Sequence, residues 1–360
     1  MKSLTFGRLA EDARILSSQN AEVRFSLSTK MMRSNLVLVV GFLLTSTTKA
    51  LQQTPPEILR SLLAKYDDPS VEMPLLLPCA YDGLTARLVT RAGFEATFMT
   101  GFGVSAVRGH PDTQLVSAHE MHESAHQVAE GLMSAAMEMG RDHPIPCIAD
   151  GDTGYGNAVN VKRTIWGYAR AGMAGVMMED QLQPKRCGHV AGKAVVGIEE
   201  AVQRVKAACD ARDEYSSQYG TPGPLILART DALKSDGMDA ALERLRRFRE
   251  AGCDMTFLEA PRSVEEMERY CKEISGPKLA NMLEQGETPV LPPKELKRMG
   301  YTMAAYPLTL LSASIKAMEE SLSRIMEGIP TDDIIVSFTD SKDAVGFTRY
   351  SQEEDRYRTD

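Results

Sequence analysis

The sequence predicts a (β/α)8 barrel of the TIM type followed by a C-terminal helical extension, and three observations carry that prediction. From residue 70 onward, eight short β-rich runs alternate with longer amphipathic stretches, an order that requires parallel pairing. The alternation occupies around 250 residues, the usual size of such a barrel. Polar, reactive side chains also gather at the carboxyl ends of the runs, where barrel enzymes build their sites. An open doubly wound sheet is the alternative. No Gly-rich turn follows the first run in the dinucleotide-binding pattern, which counts against it.

Before the barrel, the first fifty residues read as a targeting leader. Met31-Met32-Arg33-Ser34-Asn35 precedes the apolar run Leu36–Leu44, and Thr-Ser-Thr-Thr-Lys-Ala leads to a cleavage site near Ala50. That is the order of a signal peptide, best placed if translation starts at Met31 or Met32. The apolar run is far short of the roughly 20 residues a bilayer core needs, so no stable membrane anchor is expected. Residues 51–336 are assigned to the barrel and 337–360 to a helical tail.

The β-rich runs are Leu75–Cys79, Thr97–Gly101, Pro146–Asp150, Gly175–Asp180, Leu225–Thr230, Met255–Ala260, Leu279–Leu283 and Thr302–Tyr306. Helical spacing marks Ala118–Met139, Val159–Ala171, Glu199–Tyr215, Met238–Ala251, Val264–Ile274 and Leu308–Met326. The third run ends Asp150-Gly151-Asp152, the fourth Glu179-Asp180, the fifth Arg229-Thr230-Asp231 and the sixth Glu259, while the seventh holds Asn281. Charge at the ends of buried strands costs desolvation unless it is paired or binds a cation.

Composition narrows the function. The chain has 360 residues, 43% apolar and 25% charged, enough for a sizeable core. Its net charge of −8 is spread without long single-sign blocks, so no basic stripe marks a nucleic-acid surface. Cysteines 79, 147, 187, 209, 253 and 271 form no CxxC pair, which reads as unpaired thiols in a reducing compartment. With the leader, this points to a plastid or mitochondrion, the secretory route being the alternative.

Asp150-Gly151-Asp152-Thr153-Gly154-Tyr155-Gly156 sets two carboxylates two residues apart before a glycine loop. Hard divalent cations want such oxygens, and Mg2+ takes one or two carboxylates while keeping waters. An EF-hand fails, because its fifth position would be Gly154. With Glu179 and Asp180 at the next strand end, Mg2+ or Mn2+ is expected. The segment His119-Glu120-Met121-His122-Glu123-Ser124-Ala125-His126 lacks the HExxH spacing of zinc proteases and reads as a solvated helix face. In Gln183-Pro184-Lys185-Arg186-Cys187-Gly188-His189, three cations surround a thiol, the setting that lowers a thiol pKa. The plain alternative is an ordinary loop cysteine, and Cys-x-His offers too few ligands for structural zinc.

The segments MEDQLQPKRCGH, IADGDTGYG, ARTDA, LEAP and LANMLEQGETP closely resemble the isocitrate lyase and phosphoenolpyruvate mutase superfamily, in order and spacing, from about Leu77 to the C-terminus. The resemblance is to the branch of 2-methylisocitrate lyase, dimethylmalate lyase, the petal death protein and its oxaloacetate-hydrolase relatives, and sequences labelled carboxyvinyl-carboxyphosphonate phosphorylmutase. It implies Mg2+ near Asp150 and Asp152, with Glu179 and Asp112 in the surrounding shell. Thr100, Gly101 and Phe102 match the segment that holds a substrate carboxylate, Arg229 the arginine that grips the substrate, and Glu259 and Asn281 polar pocket residues. Lys185, Arg186, Cys187, Gly188 and His189 match a mobile gating loop whose cysteine transfers a proton. The implied activity is Mg2+-dependent cleavage of a carbon–carbon bond in a small 2-hydroxy- or 2-oxodicarboxylate, such as 2-methylisocitrate, dimethylmalate or oxaloacetate.

Two departures bear on the substrate. Phe98 and Thr100 stand where many lyases carry Tyr and Ser, and Phe98 with the bulky Phe102 is the pattern associated with the petal-death-like branch. Pro307 stands where oxaloacetate hydrolases tend to carry Ser, which points elsewhere. Phosphorus–carbon mutase chemistry and a catalytically silent barrel are the alternatives; Cys187 counts against the first, the intact Asp150, Asp152, Arg229 and Cys187 set against the second. The resemblance also implies a homotetramer with a C-terminal helix exchanged between subunits, Phe347 and Tyr350 being docking anchors.

Overall fold

The computed structural model describes residues 53–185 and 194–359. The leader, Arg186, Cys187, Gly188 and His189 lie outside the described residues. Eight strands, β1 (Leu75–Ala80), β2 (Thr97–Met99), β3 (Cys147–Asp150), β4 (Gly175–Glu179), β5 (Leu225–Thr230), β6 (Met255–Leu258), β7 (Lys278–Asn281) and β8 (Met303–Tyr306), pair in parallel in chain order. β8 returns to β1 with Leu75 opposite Met303 and Leu77 opposite Ala305, closing the barrel.

Closure follows from two-sided burial. Each strand is apolar on both faces, as parallel strands covered by helices must be, and successive residues alternate between barrel interior and helix layer. Along β5, Leu225 and Leu227 pack with Leu77, Ile148 and Met255 inside, whereas Ile226 and Ala228 join the outer core beneath the helices. The same alternation makes Asp150, Glu179, Arg229, Glu259 and Asn281 the last inward positions of five strand ends.

Helix α1 (Pro55–Asp67) begins with Pro at its first turn, and the Thr54 amide donates to the Glu57 carboxylate at 2.7 Å, a capping arrangement. It seals the amino-terminal end of the barrel. Leu59, fully buried, belongs to the interior cluster, and Arg60 pairs with Asp254 just before β6 at 3.3 Å. The outer layer contains α2 (Gly83–Arg91), α3 (Gly101–Val107), α4 (Ala118–Glu138), α5 (Ala158–Arg170), α6 (Ile198–Tyr219), α7 (Ala232–Asp236), α8 (Met238–Glu250), α9 (Val264–Glu273), α10 (Pro293–Met299) and α11 (Thr309–Glu327). β2 stops at Met99 because Thr100 caps α3, its hydroxyl accepting from the Gly103 amide; the predicted run to Gly101 is two residues too long.

The C-terminal extension is helical, as α12 (Phe338–Ala344) and α13 (Phe347–Arg356). α12 is tied back to α2, where Arg87 Nε donates to the Ala344 carbonyl at 2.9 Å and Arg91 pairs with Asp343. No helix among the described residues is long and apolar enough to cross a membrane.

Candidate active site

A cavity of about 610 Å3, its open mouth included, lies at the carboxyl ends of the strands and is lined by Thr100, Phe102, Asp112, Asp150, Lys185, Arg229, Glu259 and Asn281 among others. The fold thus brings eight of the predicted residues to one space. Gly101, Asp152 and Glu179 stand immediately behind them.

Asp150, the last residue of β3, is held by backbone. Its Oδ2 accepts from the Gly101 amide at 3.1 Å and its Oδ1 from the Asp152 amide at 3.0 Å. The contact with Gly101 leaves no room for a side chain, since a Cβ there would lie 2.6 Å from Oδ2. Tyr168 on α5 donates to the Asp150 carbonyl at 2.6 Å. Asp152 takes a left-handed φ of 48°, a conformation Asp tolerates better than most residues, and its Oδ2 accepts from the Tyr155 hydroxyl at 2.6 Å. Tyr155 and Tyr168 were not anticipated from sequence. Tyr155 at least lies inside the glycine loop; a buried helical tyrosine carries no such signal.

Lys185, one of the three cations expected near Cys187, pairs with two carboxylates. Lys185 is only 4% exposed, and its Nζ lies 2.8 Å from Asp112 Oδ1 and 2.5 Å from Asp152 Oδ1. Burial works against the ammonium, but Asp152, Asp150, Asp112 and Glu179 outweigh it and hold Lys185 well above the usual lysine value. Burial pushes Asp152 up to about 6, with Lys185 opposing.

Arg229 sits opposite this cluster, level with Glu179 on β4 and Phe257 on β6. Asp231 takes its Nε and Nη2 at 2.8 and 3.0 Å, and the guanidinium lies 5.2 Å over the Phe257 ring. Glu179 Oε2 is 3.4 Å and Glu259 Oε2 3.7 Å from Arg229. Asp180, expected near the metal, faces the other way. It is an outward position next to an inward one, and accepts from the Thr230 hydroxyl at 2.6 Å and the Asp231 amide at 2.9 Å, with Arg244 at 3.2 Å. Asp180 therefore buttresses the turn that carries Asp231, and Asp231 in turn fixes Arg229.

The donor chemistry fits a hydrated Mg2+. Asp112, Asp150, Asp152 and Glu179 bring oxygen donors of the kind Mg2+ takes to one end of the barrel, and Mg2+ characteristically needs few protein ligands. Glu179 supplies the sharper observation. Both its carboxylate oxygens are buried without a hydrogen-bond partner, and burial raises it well above the usual glutamate value, with Arg229 only partly compensating. A carboxyl group so placed calls for a cation or its waters to satisfy it.

One other expectation is corrected. His122 is no solvated residue: its ring packs edge-to-face on Tyr168 at 4.6 Å, its Nε2 lies 3.2 Å from the Thr164 carbonyl, and a Cβ on Gly167 would meet it at 2.2 Å. Of the three histidines in that segment, His119 and His126 are exposed. Cys79, Cys147, Cys209, Cys253 and Cys271 are free and buried, and burial pushes Cys147, Cys209, Cys253 and Cys271 up to about 12.

The chain is similar to known proteins. The family profile for phosphoenolpyruvate phosphomutase matches residues 69–326. A 2,3-dimethylmalate lyase from Eubacterium barkeri is 39% identical over 294 residues, covering 81% of this chain and 96% of its own. The structure of an oxaloacetate acetylhydrolase with the inhibitor 3,3-difluorooxalacetate superposes with a TM-score of 0.75 at 32% identity, over 84% of this chain and 96% of that one. A phosphonopyruvate hydrolase in complex with oxalate and Mg2+ gives a TM-score of 0.70 at 25% identity, over 85% and 99% respectively.

Proposed function

Because the chain belongs to the phosphoenolpyruvate mutase and isocitrate lyase superfamily, we propose that it is a Mg2+-dependent lyase that breaks a carbon–carbon bond in a small 2-hydroxy- or 2-oxodicarboxylate. The observation that carries this reading is one cavity where a fixed arginine faces a carboxylate cluster containing Glu179, which no hydrogen bond satisfies. An anionic substrate and a cation together complete that charge set.

Arg229 has five N–H donors; Asp231 takes two, and the guanidinium lines the cavity, where it can bind a substrate carboxylate. Asn281 and Thr100 add neutral hydrogen-bonding groups, and Glu259 a further charge, to the lining of the same cavity. Asp150 and Asp152, with Glu179 and Asp112 through waters, would hold Mg2+ or Mn2+, which supplies polarisation of the 2-oxygen and positive charge beside the developing enolate. As the bond breaks, its electron pair stays on the carbon next to a carboxylate. The Cys187 thiol, carried on the segment that begins with Lys185, donates the proton to that carbon as a general acid.

Part of the lining is apolar: Phe98, Leu279, Ala305, Pro307 and Leu308. It supports an alkyl-substituted dicarboxylate over bare oxaloacetate, each buried methyl adding about 0.8 kcal/mol, or roughly fourfold in kcat/KM. The test is Mg2+-dependent turnover of the purified chain on 2-methylisocitrate, 2,3-dimethylmalate, oxaloacetate and phosphonopyruvate. Cleavage of a methylated member supports the proposal; turnover of phosphonopyruvate alone would replace it with phosphorus–carbon chemistry, and no turnover with metal bound would end it.

A homotetramer is part of the reading. Ile315, Met318, Leu322 and Ile325 form one exposed apolar stripe along α11, and Phe347 and Tyr350 are exposed on α13, more apolar surface than a lone subunit keeps. Light scattering after size exclusion reports it. The leader places the mature enzyme in a plastid or mitochondrion, which sequencing of its amino terminus and fractionation would check.

A further inference from the structure

Three loops meet beside the cavity through one glutamine. Gln114 takes a left-handed φ of 57°, rare for a residue of its kind and a mark of a position held by its surroundings. Its Nε2 donates to Thr153 Oγ1 at 2.7 Å, and its Oε1 accepts from the Lys185 backbone amide at 3.0 Å. The amide orientation is unambiguous, because a backbone N–H needs an oxygen opposite it. Thr153, fully buried within the glycine loop, also accepts from Gln183 Nε2 at 2.8 Å. Two residues before Gln114, Asp112 takes the Lys185 side chain at 2.8 Å.

We infer that Gln114 is a positioning residue, a latch that fastens residues 183–185 to the loop carrying Asp152 and so sets where the chain enters the segment leading to Cys187. The short stretch from Asp112 to Gln114 grips Lys185 twice, by side chain and by main chain. Breaking the main-chain grip leaves Lys185 held by its side-chain ion pairs and lowers the cost of drawing the residue out of its pocket. Gln114 touches neither substrate nor metal in this role; it acts through Lys185 and Thr153.

The latch rests on the proposed function only for its catalytic consequence, a lower kcat on the substrate the panel identifies. Its main test does not need activity. Lysine-specific proteolysis of the native full-length chain, with cuts mapped by mass spectrometry, reads the release of Lys185, whose buried side chain must leave its pocket to be cleaved. Gln114→Leu keeps the bulk and removes both hydrogen bonds. The cut after Lys185 should become about tenfold faster, equivalent to about 1.4 kcal/mol of lost latch. The cut after Lys206, inside α6, should keep its rate, and Gln114→Glu, which retains an oxygen for the Lys185 amide, should restore slow cleavage. Thr153→Val removes the shared acceptor and should match Gln114→Leu, so either variant suffices if the other fails to fold. Cleavage after Lys185 at the wild-type rate, or acceleration at Lys206 by the same factor, would overturn the inference.

Discussion

Gly101→Ala tests whether the placement of Asp150 matters to the chemistry. The backbone of Gly101 tolerates alanine, being the first residue of α3 with no left-handed φ. Space is the obstacle: the new Cβ would lie 2.6 Å from Asp150 Oδ2 and 3.0 Å from its Cγ, where 3.4 Å begins ordinary contact. One group must retreat by about 0.8 Å (3.4 − 2.6). Asp150 cannot turn freely, since its other oxygen is held by the Asp152 amide and its carbonyl by Tyr168, so carboxylate and loop move together. Overpacking of this size costs about 1–3 kcal/mol of stability, whereas a displacement near 1 Å in an active site costs about a hundredfold in rate. Function should therefore suffer out of proportion to the fold. The assay pairs kcat/KM on the preferred panel substrate with thermal unfolding and Mn2+ titration: about a hundredfold loss of kcat/KM and weakened Mn2+ binding are expected in a protein that still melts cooperatively. Full activity with the fold intact would show that Asp150 is not part of the working site.

Three further outcomes are expected. Cys187→Ser should abolish lyase turnover while Mn2+ titration shows an unchanged affinity; retained activity would remove the acid role. A thiol reagent applied to the native protein near pH 7.5 should label one cysteine, mapped to Cys187, because the five described thiols are buried and four are pushed up to about 12; labelling at Cys79 or Cys147 would contradict the sealed interior. His122 should make stability fall on acidification. Burial, with Arg163, Arg170 and His119 adding to it, holds His122 below the usual 6.5 despite the Thr164 carbonyl, so the folded state resists a proton that the unfolded chain accepts. Its contribution is full above pH 6.5 and shrinks as pH drops through that value. In denaturant titrations from pH 7.5 to 5, His122→Gln should flatten the profile; an unchanged slope would assign the acid sensitivity to other groups.

Much of the site was legible because a barrel turns a linear rule into a spatial one. Strand periodicity places every second residue inside, and chain order places all strand ends at one mouth, so Asp150, Glu179, Arg229, Glu259 and Asn281 could be gathered from sequence. Applied strictly, the same rule separates Glu179 from Asp180: neighbours on a strand face opposite layers, and Asp180 duly braces Asp231 through the outer layer. His122 shows a second limit, since helical spacing marks a face but not what covers it, here Gly167 and Tyr168.

Pairings across the loops belong to tertiary structure alone. Lys185 meets Asp112 and Asp152, and Gln114 meets Thr153, across dozens of residues with no local pattern to announce them. Loop backbones have no period, and their partners are chosen by where closure of the sheet leaves each loop relative to its neighbours. The sequence by itself determined eight strands, their inward residues and a carboxylate-rich mouth, because those follow from alternation and burial. Which cation neutralises which carboxylate was decided only when the eighth strand met the first and brought those loops within hydrogen-bond reach.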